Sequence, residues 1–372
     1  MNFRPAARAA GAALVLAPAF LGAQTSTKVV NLGGTDYTMT AKSLVSAAGD
    51  VNNDPRYSTP VSPAYNGVGS VRITSNLGVF ICTGSLLPDG QTVLTAAHCL
   101  TGDIGTVSAI SVNFYPVNST AVVMNAASWT ANPNYSGEVI DENDVGVIRL
   151  NAVADPSITR YQLYTGVAEN NNFEFVGFGQ RGSFGTGTGG AGQGAGFGLG
   201  NRRNGDNLFD ITLGDSRWEG FFDDPFADVG HVLLADFDNG TTGFNSNDGM
   251  CWIGRFSNFP TMGMSECNAG RGLDEAISGG GDSGGPGFIN GQIASITSFG
   301  LTFGQSGTGF GDIDNALNSS FGEYAGFTDV EFQSAWINSQ LVVTPEPGSM
   351  VLMASGLIGI AGIARRRRNK KA

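Results

Sequence analysis

Histidine is nearly missing from this chain: 372 residues contain two. Imidazole-rich metal centres are thereby excluded. The four cysteines contain no Cys-x-x-Cys spacing, so a zinc site lacks its usual ligand pattern. Cationic residues are also few, 20 Lys and Arg against 32 Asp and Glu, for a net charge of −12. Eight of the basic residues lie in the two ends, which hold no acid, so residues 24–347 set 12 basic residues against 32 acidic ones, net −20. A body so charged repels nucleic acid and anionic lipid, and neither is expected as a partner. No fixed-period repeat is present. Glycine, by contrast, is abundant at 56 residues, which points to many turns and away from an all-helical fold.

The ends read as addresses. Residues 1–23 run from Arg4 and Arg8 through the apolar stretch Ala10 to Leu21 to the small residues Gly22 and Ala23, the layout of a secretory signal peptide. At the other end, 342–347 form a linker containing Pro345-Glu346-Pro347. An uncharged apolar run, 348–364, then reaches the short limit for crossing a bilayer. The tail 365–372, with Arg365 to Arg368, Lys370 and Lys371, belongs on the cytoplasmic side of such an anchor. Between the ends, residues 24–64 are polar with scattered Gly, Asn and Pro and read as a loosely structured leader, or a propeptide. Residues 65–341 form the folded domain. Its glycine-rich stretch, 180–205, reads as a surface loop. A phosphate cradle is excluded there, because no Lys-Ser/Thr follows the glycines and no βαβ unit surrounds them. Four cysteines behind a signal peptide point to disulfides in an oxidising compartment, with three pairings open.

Short β-branched or aromatic segments bounded by turn formers recur from Val68 onward. They include Val71–Ile73, Val79–Cys82, Thr92–Thr95, Ile110–Phe114, Ala121–Met124, Val145–Leu150, Phe173–Val176, His231–Ala235 and Ile293–Thr297. Many short strands without helices between them predict an all-β barrel or sandwich. One helix is expected late, from Val330 to Leu341, with Phe332, Trp336 and Ile337 as apolar positions.

A nucleophile, a base and oxyanion donors are what acyl transfer requires. Ser283 lies in Gly279-Gly280-Gly281-Asp282-Ser283-Gly284-Gly285-Pro286, where glycines let the backbone turn sharply and aim the amides of Gly281 and Ser283 at one point. Near neutral pH the base must be histidine. His98, in Thr95-Ala96-Ala97-His98-Cys99, follows a strand and adjoins a cysteine, whereas His231 opens a strand with no motif around it and reads as structural. Asp144, heading the apolar strand Val145 to Leu150, can be buried against an imidazole. Asp141 and Glu142 beside it read as solvated. Asp50, Asn52 and Asp54, like Asp236 and Asp238, alternate as calcium ligands do, but without the glycine and closing glutamate of an EF-hand loop. They read as incidental polar loops, so no metal and no cofactor is expected.

The order His98, Asp144, Ser283 is that of chymotrypsin-like enzymes and differs from subtilisins and α/β-hydrolases. With Thr-Ala-Ala-His-Cys, the Asn143-Asp144 strand and Gly-Asp-Ser-Gly-Gly-Pro, the chain resembles a trypsin/chymotrypsin-type serine protease from about Val68 to Leu341. Cys82 to Leu87, Gly177 to Gly179, Ser298 to Gly300 and the late helix resemble further landmarks of that family. The resemblance implies two packed six-stranded antiparallel β-barrels with a C-terminal helix, and a triad of His98, Asp144 and Ser283 at their junction. It also implies an oxyanion hole from Gly281 and Ser283, disulfides Cys82–Cys99 and Cys251–Cys267, and a groove lined by Ser298, Phe299 and Gly300. The activity implied is peptide-bond hydrolysis by a serine endopeptidase, with a protein or peptide as substrate. A catalytically weak binding or matrix protein on the same fold is the alternative.

Two departures bear on specificity and activation. Trypsins carry Asp six residues before the nucleophile, and here Ile277 stands there, so a neutral or apolar P1 side chain is expected. Family members often pair the Asp beside the nucleophile, here Asp282, with a newly freed amine, yet no matching activation sequence precedes Cys82. The C-terminal end resembles a PEP-CTERM sorting signal. That implies export in a Gram-negative bacterium to the cell surface or medium, a transient inner-membrane anchor, and processing by an exosortase.

Overall fold

The computed structural model describes residues 24–43, 46–47, 63–115, 121–180, 202–216, 221–222, 227–238, 248–254, 267–268, 270–271, 275–303 and 311–341. The expected signal peptide 1–23, the apolar run 348–364 with its basic tail, most of the glycine-rich stretch and the residues Asp50, Asn52 and Asp54 lie outside the described residues. No helix of the described residues is long and apolar enough to cross a membrane.

In chain order the strands are β1 (Thr25–Leu32), β2 (Thr35–Ser43), β3 (Ser46–Ala47), β4 (Val68–Ser75), β5 (Gly78–Leu86), β6 (Thr92–Thr95), β7 (Val107–Phe114), β8 (Val122–Ala131), β9 (Gly146–Leu150), β10 (Asn172–Gly177), β11 (Arg203–Leu208), β12 (Ile211–Thr212), β13 (Val232–Asp236), β14 (Pro286–Ile289), β15 (Gln292–Thr302) and β16 (Tyr324–Asp329). Two helices, α1 (Gly249–Gly254) and α2 (Val330–Ser339), complete the described elements.

The first sheet runs β5-β4-β7-β8-β9-β6, and β6 returns to pair with β5, closing a six-stranded antiparallel barrel; β3 adds to the outer edge of β5. Closure removes free edges, and Val71, Ile73, Leu86, Val93, Val112, Phe114 and Ile148 fill the interior. The expected strands Thr92–Thr95 and Val145–Leu150 lie here within a residue of their predicted ends, and Ile110–Phe114 is the second part of β7, which starts three residues earlier at Val107.

Among the described residues the second sheet is a half-barrel, so of the two closed six-stranded barrels expected only the first is seen complete. The path of the second sheet is β11-β10-β14-β15-β16-β13-β12, and among the described residues no pairing joins β11 to β12. One reason is that β12 is two residues long. Away from that opening, the outer half of β15, beyond its pairing with β14, is taken by β2.

That β2 exists corrects the reading of residues 24–64 as loosely structured. β1 and β2 form a hairpin with Leu32 opposite Thr35, turning on Gly33 and Gly34 at φ 59° and 87°. Two consecutive positive φ angles suit the primed turns that match strand twist, and glycine adopts them without strain. Val30, Leu32, Tyr37, Met39 and Ala41 are buried by alternation and pack into a core with Ile211, Trp252, Phe303 and Tyr324.

Helix α2 starts on Asp329, whose carboxylate accepts from Glu331 N at 2.9 Å as an N-cap does. The helix anchors the segment ahead of β9: Gln333 accepts from Asn132 Nδ2 (2.8 Å) and donates to the Glu142 carbonyl (2.8 Å) and to Asn143 Oδ1 (3.1 Å). Gln333→Leu leaves these buried groups unpaired and is expected to cost about 2–4 kcal/mol, read as a lowered midpoint in urea unfolding; an unchanged midpoint would show that the anchor is dispensable.

Candidate active site

His98 sits in a single helical turn, Ala97–Cys99, reached directly from β6. The Cys82–Cys99 disulfide ties that turn to β5, and the second disulfide joins Cys251 to Cys267. Asp144 ends a tight loop whose backbone folds back on itself, Asp144 N to the Asp141 carbonyl at 3.1 Å and Val145 N to that of Asn143 at 2.7 Å. Asp141 and Glu142 are buried rather than solvated. The Asp141 carboxylate organises this loop by accepting from Ser136 N, Ser136 Oγ and Asn143 N.

The two loops meet across the mouth of the barrel. His98 Nδ1 lies 2.7 Å from Asp144 Oδ2, and His98 N donates to Asp144 Oδ1 at 2.9 Å. On the far side of the ring, His98 Nε2 lies 2.7 Å from Ser283 Oγ. All three residues are at most 2% exposed. Burial alone pushes the Asp144 carboxyl up, but the charge and hydrogen bonds of His98, with the Ser298 hydroxyl, outweigh it and hold the group below its ordinary value. Ser298 donates to Asp144 Oδ2 at 2.5 Å. Its hydroxyl therefore orients the carboxylate, a contact across 154 positions that no local motif announces.

Ser283 stands in a loop clamped between the two sheets. Its carbonyl accepts from Thr83 N on β5 (2.8 Å), while Gly284 N donates to Thr297 O on β15 (2.8 Å). Gly284 has φ 81°, and a Cβ there would lie 2.1 Å from Thr95 Oγ1 and 2.3 Å from the Thr83 carbonyl, so only glycine fits. Gly281, at φ 102°, turns the chain just before the nucleophile. Asp282 N is engaged by the Gly279 carbonyl (2.9 Å), whereas the N–H groups of Gly281 and Ser283 have no acceptor among the described residues.

Asp282 is buried in a nest of donors. It accepts from Gly179 N (2.7 Å) and Gly279 N (2.8 Å) and pairs with Arg203 Nη2 (3.0 Å). Arg203 also donates to the carbonyls of Gly179 and Gln180. Asp282 is thus neutralised by a guanidinium rather than by a freed amine, from a residue 79 positions away and outside any motif.

The remaining expected residues fall in different places. Phe299 is buried over Gly326, where a Cβ would come 2.1 Å from its ring. Gly300 and Phe299 are paired with β2. Ile277 is half-buried against the cluster containing Phe175 and Phe209. His231 is apart from the triad, 3.0 Å from Glu142 Oε2 and stacked on Phe332. Asp236 and Asp238, read as incidental polar loops, are instead buried, and with Asp248 bring one carboxylate oxygen each within 4.8 Å of one another.

The trypsin family model matches residues 58–191, a span that holds His98 and Asp144, and the PEP-CTERM protein-sorting motif matches residues 343–368. Within residues 58–191 the chain is thus trypsin-like, and its far end carries a sorting motif of the kind that implies export. Among curated proteins it is similar to trypsin theta of Drosophila erecta, 34% identical over 80 residues, which is 22% of this chain and 30% of that relative's length. Among solved structures it is similar to HL collagenase, with a TM-score of 0.47 at 17% identity, covering 75% of this chain and 95% of the other.

Two predictions follow the electrostatics. Arg203→Leu strands the Asp282 charge in a buried nest; because the guanidinium is one-quarter exposed, the expected loss is about 2–4 kcal/mol, below that of a fully buried pair. Denaturant unfolding measures it, and a loss under about 0.5 kcal/mol would remove Arg203 from the site's support. The acidic cluster has the opposite sign from Asp144. Burial, then the charge of Asp236, pushes Asp248 up to about 9, and burial with Asp236 and Asp238 does the same to Glu275, also to about 9. The folded state keeps protons that the unfolded chain releases near pH 4, so stability falls as pH rises from there toward 9. Melting temperature should therefore be lower at pH 9 than at pH 5.5, and Asp248→Asn should flatten that slope; equal melting temperatures at the two pH values would contradict it.

Proposed function

We propose that the protein is an exported serine endopeptidase that hydrolyses peptide bonds through an acyl-enzyme on Ser283. The observation that carries this reading is the buried relay Asp144–His98–Ser283, with both links at 2.7 Å. Ser283 Oγ adds to the scissile carbonyl carbon as His98 Nε2 takes its proton. Asp144 stabilises the imidazolium and fixes the ring so that Nε2 faces the nucleophile. The amides of Gly281 and Ser283 donate to the developing oxyanion. The imidazolium then protonates the leaving amine, and a water activated by the same ring releases the acyl group. Arg203 neutralises Asp282 within the chain, so ordering of the oxyanion loop does not wait for a new amino terminus. Ile277, in place of an acid, favours a neutral or apolar P1 side chain.

The organisation we propose is a signal peptide at 1–23, a leader at 24–64, the protease domain at 65–341, and a sorting segment whose 348–364 run anchors the chain until an exosortase acts. Labelling with a fluorophosphonate tests the chemistry. The wild type is expected to react at Ser283 and Ser283→Ala not at all, while Asp144→Asn should lower kcat on a peptide substrate by about 10⁴ with KM little changed. Labelling indifferent to Ser283→Ala would leave a non-catalytic binding protein as the better reading. A peptide-library profile dominated by Arg or Lys at P1 would overturn the pocket assignment.

A further inference from the structure

The chain's two histidines are held in the same way by one loop. Asp144 Oδ1 accepts from His98 N at 2.9 Å, and Asp144 Oδ2 lies 2.7 Å from His98 Nδ1. Two residues earlier, Glu142 Oε2 accepts from His231 N at 3.0 Å and lies 3.0 Å from His231 Nδ1. Each carboxylate thus takes the main-chain N–H and the ring Nδ1 of one histidine. His98 belongs to the closed barrel, and His231 immediately precedes β13 in the second sheet. The His98 pair is enclosed, whereas the His231 side chain is 46% exposed. Its ring lies flat on Phe332 of α2, with 3.6 Å between centroids and 3° between planes.

The loop that carries Asp144 leans on the second sheet. Val139 and Ile140 are buried in the same core as Ile211, Val232 and Tyr324. The Ile140 carbonyl accepts from Ala227 N (3.1 Å), and Glu142 N donates to the Asp228 carbonyl (2.8 Å). Gln333 of α2 donates to the Glu142 carbonyl, so the helix that supplies Phe332 behind the imidazole also grips the backbone of its partner. Apolar packing has no direction; the carboxylate of Glu142 does, because its acceptor must meet two fixed donors. From Glu142 to Asp144 the chain takes two residue steps, at most about 7 Å when extended. The bonds from Asp144 N to the Asp141 carbonyl and from Val145 N to that of Asn143 tie up the torsions between. A displacement at Glu142 therefore reaches Asp144 with little to absorb it, and a misplacement of about 1 Å in a catalytic constellation can cost about a hundredfold in rate.

We propose that His231 and Glu142 are positioning residues: the Nδ1–H of His231, bonded to Glu142, sets where the Asp144 carboxylate meets the His98 ring. This rests on the serine-hydrolase reading above. The pair carries no proton to or from a substrate. It acts through Asp144, and it gives the second sheet and α2 a hold on an imidazole that belongs to the first barrel.

Two substitutions separate the donor from the ring stack. His231→Phe keeps an aromatic ring over Phe332 and loses Nδ1–H. His231→Asn loses the ring and keeps an N–H donor bonded to Cγ, as Nδ1 is. The experiment uses the full chain as wild type and both variants, below the lowest of their unfolding midpoints. It measures the rate of Ser283 labelling by a fluorophosphonate, and kcat and KM on a peptide drawn from the library profile. His231→Phe should label about tenfold more slowly and lose about tenfold in kcat, the worth of one hydrogen bond. KM should be little changed, since the groove is untouched. His231→Asn should recover most of that loss. A role in packing alone predicts that His231→Asn is no faster than His231→Phe, and that result would overturn the proposal. Labelling of His231→Phe at the wild-type rate would do the same, as would a change confined to KM. Wild type that fails to label would instead overturn the hydrolase reading on which the proposal stands.

Discussion

The buried carboxylate of Asp144 holds the two halves of the molecule in common. It comes from the loop ahead of β9 in the closed barrel and collects the ring and backbone N–H of His98 from the same barrel. It also collects the Ser298 hydroxyl from β15 in the open sheet, and Thr328 on β16 reaches the Asp144 carbonyl at 3.3 Å. A carboxylate with so little water must be satisfied by protein donors, and these donors can converge only if the sheets are in register. Its hydration penalty therefore couples sheet packing to the placement of the imidazole.

What was legible in the chain was local. The glycines around Ser283, the Ala-Ala-His-Cys turn and the apolar run after Asp144 each report their own backbone need, and their strands and turns formed where expected. The strands of the closed barrel were legible because turn formers bound them, whereas their closure into a barrel rather than a sandwich was implied only by the family resemblance. The leader was misread for a physical reason: β1 and β2 bury one face only, so polar residues alternate with apolar ones and the average looks hydrophilic. The Gly33-Gly34 turn between two such runs was the signal that could have found them. Arg203 left no local trace, and Ser298 was named for a groove and not for its bond to Asp144, since each acts on a carboxylate, 79 and 154 positions distant respectively. Asp236 and Asp238 were misjudged because burial, unlike spacing, is a property of the packed chain.

β15 continues past its pairing with β14, and the main-chain groups of that extension need a partner. The hairpin supplies it, with Gly300 and Leu301 opposite Lys42 and Ala41. This stretch of the β15 edge is thus covered by part of the same chain.

Arg203 also gathers both ends of the glycine-rich stretch. Gln180, where the described chain stops, and Arg203, one residue after it resumes, are joined through the guanidinium, while Gln180 N is held by the Gly280 carbonyl at 2.7 Å. The guanidinium that neutralises Asp282 thus also fixes the backbone at Gly179 and Gln180, so the geometry of the nucleophile loop and that of the chain after β10 depend on one side chain.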